Sequence, residues 1–361
     1  MRTKLRLAAM LLISAGLAFL ATGCQDPYLT GANITLSKPP DELSQDDYRA
    51  VIRTLQSAIE QGFPQNYGKY YAMLAYCHYN TSQFKLTRSM MDSSIKYWPD
   101  KADSLGEVLK GYWGLQFNLS LEQLRKATGM PKDSSGPFVA RAQTHLNNAM
   151  EIIPDRVEDY ILQAQIHRFS GRNDEAKVLF EKAIKADPNN PDVHYQLGRI
   201  AYDAKNWDEA AMHLEKASGL KQDNHLWLFL LGEAYLMKGD YPRAQKAFQK
   251  SASLNPEDKY AWFNLGQSFF YEDKDLRSAI QAFEKALAVD DSYMEALDLL
   301  GLSYLHKAVL DFDNGIRVYK SAVEMRPDKI EYWTNLLYCY KQKKMKAEAA
   351  AVEKRIKQLQ K

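Results

Sequence analysis

Residues 225–258, HLWLFLLGEAYLMKGDYPRAQKAFQKSASLNPED, are the stretch that decides the fold. Apolar side chains recur in it at helical spacing, which predicts helices with one buried face. Gly232 and Ala244 are small enough to let two antiparallel helices cross closely, and Phe248 fills the space beside them. Pro256 ends the second helix, because proline cannot continue it. The stretch therefore predicts a helical hairpin.

This hairpin is one copy of an internal repeat. Gly198, Gly232 and Gly266 are 34 residues apart, and Gly301 follows after 35. The alanines at 176, 210 and 244 keep the same 34-residue period, as do the prolines at 154 and 188. Because one hairpin cannot bury its apolar face alone, a run of copies predicts a stack in which each hairpin covers its neighbour.

The repeated pattern resembles the tetratricopeptide repeat family. In residues 225–258 the matching positions are Leu228, Leu231-Gly232, Tyr235, Ala244, Phe248, Ser251 and Pro256. The resemblance implies an all-α fold, a right-handed α-solenoid of stacked antiparallel hairpins. It predicts six hairpins over residues 157–361, the last a capping repeat. Residues 44–156 are predicted to form a capping helix near 46–61 and two divergent hairpins.

The second divergent hairpin is longer than the family pattern. Its segment, residues 102–156, has 55 residues where the repeat has 34. We expect the extra residues to lengthen its first helix to about Lys126 and to form an expanded loop over residues 129–137, which contain two glycines and two prolines.

The N-terminus is predicted to be a targeting segment. Arg2, Lys4 and Arg6 precede a mostly apolar run over residues 7–20, which is typical of a signal peptide and shorter than a bilayer-spanning helix. The run ends in Ala21-Thr22-Gly23-Cys24, which resembles a bacterial lipobox although Leu is usual at the position of Ala21. This implies that residues 1–23 are removed and that Cys24 is lipidated. The alternative is a plain secretory signal cleaved nearby.

Residues 24–43 contain three prolines and no helical periodicity, which predicts a flexible tether between lipid and body with a reach of about 25 Å. Gln25 follows the cysteine. In enteric-type sorting, the resemblance implies that the absence of Asp there favours the outer membrane, with the body facing the periplasm.

Charge and motifs argue against several classes of function. Without Arg2, Lys4 and Arg6 the chain has 44 basic and 45 acidic residues, so it lacks the basic footprint of a nucleic-acid-binding protein. The seven histidines show no metal-binding spacing, and phosphate-loop and nucleophile-elbow motifs are missing. Cys77 and Cys339 occupy the same slot of the repeat and are predicted to be buried. We expect no enzyme activity, metal, cofactor or small-molecule substrate.

The resemblance implies that the first helices of successive hairpins line a groove for a protein or peptide partner. Aromatic side chains on such a face are typical of binding hot spots. The alternative is that neighbouring hairpins bury several of them. The predicted groove residues are Tyr195, Arg199, Tyr202, Phe229, Glu233, Phe263, Gln267, Phe270 and Tyr271.

Together these features predict an outer-membrane lipoprotein scaffold that assists the assembly or positioning of an envelope complex, in the manner of a pilotin or an assembly-machine accessory. The alternative is a periplasmic holdase-type chaperone, or a binding subunit for a cell-wall enzyme or glycan.

Overall fold

The computed structural model describes residues 26–39, 41–272 and 275–360. Eighteen α-helices and no strand occur in these ranges. They are α1 Pro27–Leu36, α2 Gln45–Glu60, α3 Tyr67–Asn80, α4 Phe84–Tyr97, α5 Ala102–Thr128, α6 Lys132–Ile152, α7 Val157–Phe169, α8 Asn173–Ala186, α9 Pro191–Asp203, α10 Trp207–Leu220, α11 His225–Met237, α12 Tyr241–Leu254, α13 Lys259–Glu272, α14 Leu276–Val289, α15 Met294–Leu305, α16 Phe312–Met325, α17 Ile330–Gln342 and α18 Lys346–Leu359. The predicted fold class, an all-α stack of helical hairpins, is confirmed.

The chain divides into two compact units between Pro188 and Asn189. This division falls one hairpin later than the boundary expected at residue 157. The reason is a shared core: Leu124 of α5 and Leu146 of α6 pack in one apolar cluster with Leu162 and Ile166 of α7. The hairpin α7–α8 is therefore part of the first unit.

The first described helix of the first unit lies where a tether was expected. The prediction of a flexible segment over residues 24–43 is wrong for Pro27–Leu36, where Leu29 and Ala32 are each only 1% exposed. Asp26 caps this helix by accepting hydrogen bonds from the backbone N–H groups of Tyr28 and Leu29, at 2.9 and 3.2 Å. Pro27 stands at the first helical position, where proline is favoured because no N–H is needed there.

The expected expanded loop is also absent from the first unit. Helix α5 continues to Thr128 and α6 begins at Lys132, so the prediction of a loop over residues 129–137 is wrong and the turn is residues 129–131. Pro137 lies inside α6. It is tolerated because it is near the helix start, where only the Asp133 carbonyl loses its intrahelical donor and that residue is exposed to water. The insertion therefore lengthens both helices.

In its described residues the second unit contains five hairpins, from α9–α10 to α17–α18. The repeated glycines let the helices of a hairpin approach closely. A Cβ at Gly232 would lie 2.6 Å from the Phe248 ring, and one at Gly266 would lie 2.5 Å from the Phe283 ring. Any larger residue would push the two helices apart, which explains the 34-residue period of these glycines.

The signal peptide predicted over residues 1–23 and the lipidation site predicted at Cys24 lie outside the described residues. Within the described ranges, none of the helices combines the length and apolarity required to span a bilayer.

Candidate protein-binding face

The second unit presents one side of its first helices to solvent. We call the outward side of α9, α11, α13, α15 and α17 the first-helix face. All nine predicted groove residues lie on α9, α11 and α13. Their surroundings differ, because each first helix also packs against the second helix of its own hairpin and against the next hairpin.

Exposed apolar side chains form two rows on this face, one on α11 and one on α13. Leu226 and Met237 on α11 are 58% and 57% exposed, and Tyr260 and Tyr271 on α13 are 53% and 52% exposed. Residues 11 apart in a helix differ by about 20° around its axis, so the members of each pair lie on the same side. Leu302 of α15 and Tyr338 of α17 are also exposed. The face therefore continues along four successive first helices.

The α9 end of the face is held by aromatic and polar contacts with α11. Tyr195 is half-buried and stacks on Trp227, with ring centroids 5.1 Å apart. The Tyr202 hydroxyl donates to a Glu233 carboxylate oxygen at 3.2 Å. Burial raises the pKa of Glu233, although the Tyr202 hydrogen bond opposes that shift. Arg199 is exposed beside Tyr195 and is the cationic member of the predicted set.

Phe263 is not a groove residue, and its prediction as one is wrong. It is 9% exposed and lies between the rings of Phe283 and Tyr293, at centroid distances of 5.9 and 5.0 Å. Phe229 is half-buried and packs edge-to-face on Phe248. The alternative of burial between neighbouring hairpins therefore holds for Phe263.

The remaining predicted residues of α13 become more exposed toward the end of the helix. Gln267 and Phe270 are half-buried, and Tyr271 is exposed. Tyr271 contacts Phe270 edge-to-face and lies 6.4 Å from the Tyr241 ring of the preceding hairpin. Thus Tyr271 is the groove prediction whose ring is most available to a partner.

A pocket on the first-helix face was missed in the sequence. It has a volume of about 500 Å³ and lies between α15 and α17 above Tyr319 of α16. Asp298, Leu302, Lys329 and Ile330 are among its lining residues. The signal was present in the repeat: Asp298 stands three residues before Gly301, where the preceding hairpins have Tyr195, Phe229 and Phe263.

The first unit has a cavity of about 450 Å³ between the start of α6 and the end of α7. Val139, Ile166 and Phe169 form its apolar part, and Lys132 and Arg172 add positive charge. It exists because the lengthened α6 extends beside the shorter helix α7.

Cysteines and histidines within the described ranges provide no cluster of three or more metal-binding side chains. Cys77 and Cys339 are free thiols and are both buried, as predicted. His194 and His213, which are 19 residues apart on the two helices of one hairpin, meet between α9 and α10 with their Nδ1 atoms 3.0 Å apart. The hydrogen-bonding roles of these two atoms depend on which tautomers are present.

Comparison with known proteins gives the repeat a name. Residues 170–227 and residues 229–296 each match a model of the tetratricopeptide repeat. The chain carries tetratricopeptide repeats. Proteins built from tetratricopeptide repeats are interaction scaffolds that bind protein or peptide partners, and the exposed first helices of this chain are suited to that role.

Proteins similar to this chain occur in several organisms. The DnaJ homolog subfamily C member 7 homolog of Schizosaccharomyces pombe is 20% identical over 294 residues, which is 77% of this chain and 60% of that protein. The chain thus spans less than two thirds of that relative. The crystal structure of MamA is 27% identical with a TM-score of 0.44, covering 49% of this chain and 94% of MamA. The structure of pilF from Pseudomonas aeruginosa is 20% identical with a TM-score of 0.46, covering 61% of this chain and 94% of pilF.

Proposed function

We propose that this chain is an outer-membrane lipoprotein scaffold that binds a protein partner on the first-helix face. It positions that partner for the assembly of an envelope complex, as a pilotin-like or assembly-machine accessory. The proposal assigns binding to the chain and no catalytic step, metal or cofactor.

The observation that carries the binding role is the pair of exposed rows on α11 and α13. Leu226, Met237, Tyr260 and Tyr271 are more than half exposed, so the neighbouring hairpins of the stack do not cover them. Exposed apolar side chains that recur on one face are candidates for an interaction site, and tyrosine is enriched in binding hot spots. Glu233 and Gln267 follow Leu226 and Tyr260 by seven residues on the same helices, so each row also carries a half-buried polar side chain.

The envelope location rests on the sequence of the leader. Basic residues, an apolar run and Cys24 follow in the order of a bacterial lipoprotein signal. Several acyl chains on one cysteine give stable membrane attachment, whereas a single chain is marginal.

The test is photo-crosslinking in cells with benzoyl-phenylalanine at position 271, followed by mass spectrometry. Tyr271 suits the probe because it is exposed and already aromatic. We expect one partner, crosslinked in stoichiometric yield. A broad set of unfolded clients would support the holdase-type chaperone in place of the scaffold.

A combined variant tests the exposed rows themselves. Leu226→Ser, Met237→Ser, Tyr260→Ser and Tyr271→Ser should together abolish the crosslink from a probe at Tyr338 while leaving the helical circular dichroism spectrum unchanged, because these side chains are more than half exposed. The matched control is Met212→Ser with Leu254→Ser, which removes exposed apolar side chains from the second helices α10 and α12. Equal loss of the crosslink in variant and control, or no loss in either, would overturn the assignment to the first-helix face.

A further inference from the structure

Four helix ends of the first unit meet beside the first described residue. The start of α1, the end of α2, the start of α3 and the end of α4 lie together, as the contacts between them show. Asp26, which precedes α1, accepts a hydrogen bond from Asn66 Nδ2 at 2.6 Å and another from the Tyr70 hydroxyl of α3. Trp98, which follows α4, is so close to Gly68 of α3 that a Cβ on this glycine would lie 2.6 Å from the Trp98 Cβ. Asp26 is therefore fixed at this end of the unit.

Aromatic rings are concentrated at the same end. The Tyr28 and Phe63 ring centroids are 5.7 Å apart. Tyr97 stacks on Tyr71 at 5.6 Å and meets Tyr67 edge-to-face at 5.2 Å. Tyr97 is 46% exposed, and the other rings are half-buried, so each keeps part of its surface in solvent. We call the following set of residues the aromatic end: Tyr28, Phe63, Tyr67, Tyr71, Tyr97 and Trp98.

The distance to Cys24 indicates what covers these rings. Cys24 is two residues before Asp26, and two residues can span at most about 7 Å. The headgroup layer on each side of a bilayer is about 6 Å thick. Acyl chains on Cys24 would therefore hold the aromatic end at the depth of the headgroups. Tyrosine and tryptophan are enriched at that depth, because their rings prefer an apolar environment and their O–H or N–H groups prefer a wet one.

The charges at the aromatic end favour a neutral lipid surface. Within three residues of these rings in the chain there are three basic and three acidic side chains, so the end has no net charge. They are Lys69, Lys96 and Lys101 with Asp26, Glu60 and Asp100. Attraction to anionic lipids requires a basic cluster and weakens with added salt. Contact through the rings needs neither anionic lipid nor low salt.

We propose that the aromatic end is a membrane-contacting surface whose rings lie among the headgroups of a phospholipid bilayer. This inference rests on the proposed function, since lipid on Cys24 brings the bilayer within reach. It adds an orientation for the first unit. Helix α5 begins four residues after Trp98 and has 27 residues, so the turn at its far end lies about 40 Å away along the helix. That turn, with Met130, is on the side away from the bilayer.

The experiment uses the lipidated full chain in phosphatidylcholine vesicles that contain lipids with a doxyl quencher near the headgroup. A fluorophore is attached at Pro99→Cys or at Met130→Cys, two exposed turn positions at opposite ends of α5. The thiols of Cys77 and Cys339 are buried and do not compete for the label. We expect quenching at position 99 to be at least severalfold stronger than at position 130 and to be unchanged by added salt. Equal quenching at the two positions would overturn the proposal.

A substitution in the aromatic end tests the rings themselves. Tyr97→Ser removes the most exposed ring and should at least halve the quenching at position 99, without changing the circular dichroism spectrum. Tyr97→Trp should restore it, because tryptophan also favours the interface. The matched control is Tyr338→Ser, which removes a tyrosine of similar exposure, 43%, from the second unit and should be quenched as the parent is. Equal quenching of Tyr97→Ser and the parent would show that the rings do not contact lipid.

Sedimentation with the vesicles separates this inference from the proposed function. A chain that sediments but is quenched equally at positions 99 and 130 keeps its lipid anchor, and only the aromatic end is overturned. A chain that does not sediment overturns the anchor and the aromatic end together. The crosslink from Tyr271 tests the scaffold role independently of both, because it reports on the second unit.

Discussion

Asp159 shows at the scale of one residue how burial controls charge in the first unit. Its side chain is fully buried on α7, and both of its carboxylate oxygens accept from Trp113 Nε1 of α5, at 3.1 and 3.2 Å. Burial raises the pKa of Asp159 from 3.8 to about 6, although the Trp113 hydrogen bond and the nearby Arg156 lower it. The penalty for burying the charged form therefore exceeds the stabilisation that its neighbours give.

This shift predicts stability that falls as pH rises. The folded state holds the Asp159 proton up to about pH 6, whereas the unfolded chain releases it near 3.8, so the folded state binds more protons between these values. The free energy of unfolding should decrease from about pH 4 to pH 6 and then level off. Asp159→Asn should remove that slope and raise the free energy of unfolding at pH 7 by up to about 3 kcal/mol. Urea unfolding of parent and variant across this range measures both effects.

Glu158 is the matched control for Asp159. It is the adjacent residue, but a hydrogen bond from Arg156 lowers the pKa of its carboxyl group. Glu158→Gln should therefore change the pH dependence in the opposite sense. In the parent, the ionised Glu158 stabilises the fold at neutral pH, and this contribution is lost on acidification. The variant lacks that contribution and its loss. A parent protein whose stability is flat from pH 4 to pH 6 would contradict the buried-charge account of Asp159.

Helix α1 shows at the scale of an element why local signals must be considered together. The prolines of residues 24–43 suggested an irregular segment. Asp26-Pro27 is nevertheless also a helix start, with an N-cap side chain followed by proline at the first position. Asp26 additionally accepts from Asn66 Nδ2 at 2.6 Å and from the Tyr70 hydroxyl. These long-range contacts dock the helix on the first unit, and they could not be predicted from a local pattern.

The docking of α1 should depend on the Asp26 carboxylate. Burial alone would raise its pKa, but hydrogen bonds from Tyr70, Leu29, Tyr28 and Asn66 outweigh burial and lower it. Asp26→Ala removes the N-cap, which contributes about 1 kcal/mol, and leaves Asn66 and Tyr70 without this acceptor. We expect faster amide hydrogen exchange across residues 27–36 with little change in α3.

The control for this exchange experiment is Asp41→Ala. Asp41 is an exposed acidic residue in the turn after α1, so its removal changes the net charge by the same amount without removing the cap. Exchange in α1 that is equally slow in the parent and in Asp26→Ala would show that the other contacts of α1 hold the helix in place without the Asp26 carboxylate.

The lengthened hairpin α5–α6 shows that local composition alone can predict the wrong secondary structure. Residues 132–137 contain two serines, a glycine and a proline, which indicate a loop by propensity. The structure has a helix there because the apolar positions Ala142 and Leu146 that follow pack on Leu124 of α5, and this tertiary contact extends the helix past its weak formers. From Val157 onward, the strict period predicted the helices better than composition did, because the repeated residues are those that contact neighbouring helices and hairpins.

At the scale of the whole molecule, the repeat could be predicted but the exposure of each groove residue could not. The period identifies which slot a residue occupies, while burial depends on the side chains of the next hairpin. Phe263 and Tyr271 illustrate this, since both are aromatic residues of α13 and only Tyr271 is exposed.

The position of α1 changes the expected relation between chain and membrane. Cys24 is two residues from Asp26, which the structure fixes on the first unit, and two residues can span at most about 7 Å. A lipid on Cys24 would therefore be held within that distance of the first unit, in place of a 25 Å tether. We therefore expect α1 to lie at the lipid surface. Ile34, which is 68% exposed on this helix, is the position from which to measure it.

A fluorophore on Ile34→Cys should be quenched by doxyl-labelled lipids in vesicles that carry the lipidated chain. Labelling is selective, because burial raises the pKa of Cys77 to about 12 and that of Cys339 to about 11, which keeps both thiols unreactive at neutral pH. Insertion of twenty Gly-Ser residues after Gln25 restores a long tether and should reduce the quenching severalfold. Cys24→Ser should abolish it and release the chain from the membrane fraction. Equal quenching with and without the inserted linker would show that α1 is not held at the bilayer by the short connection to Cys24.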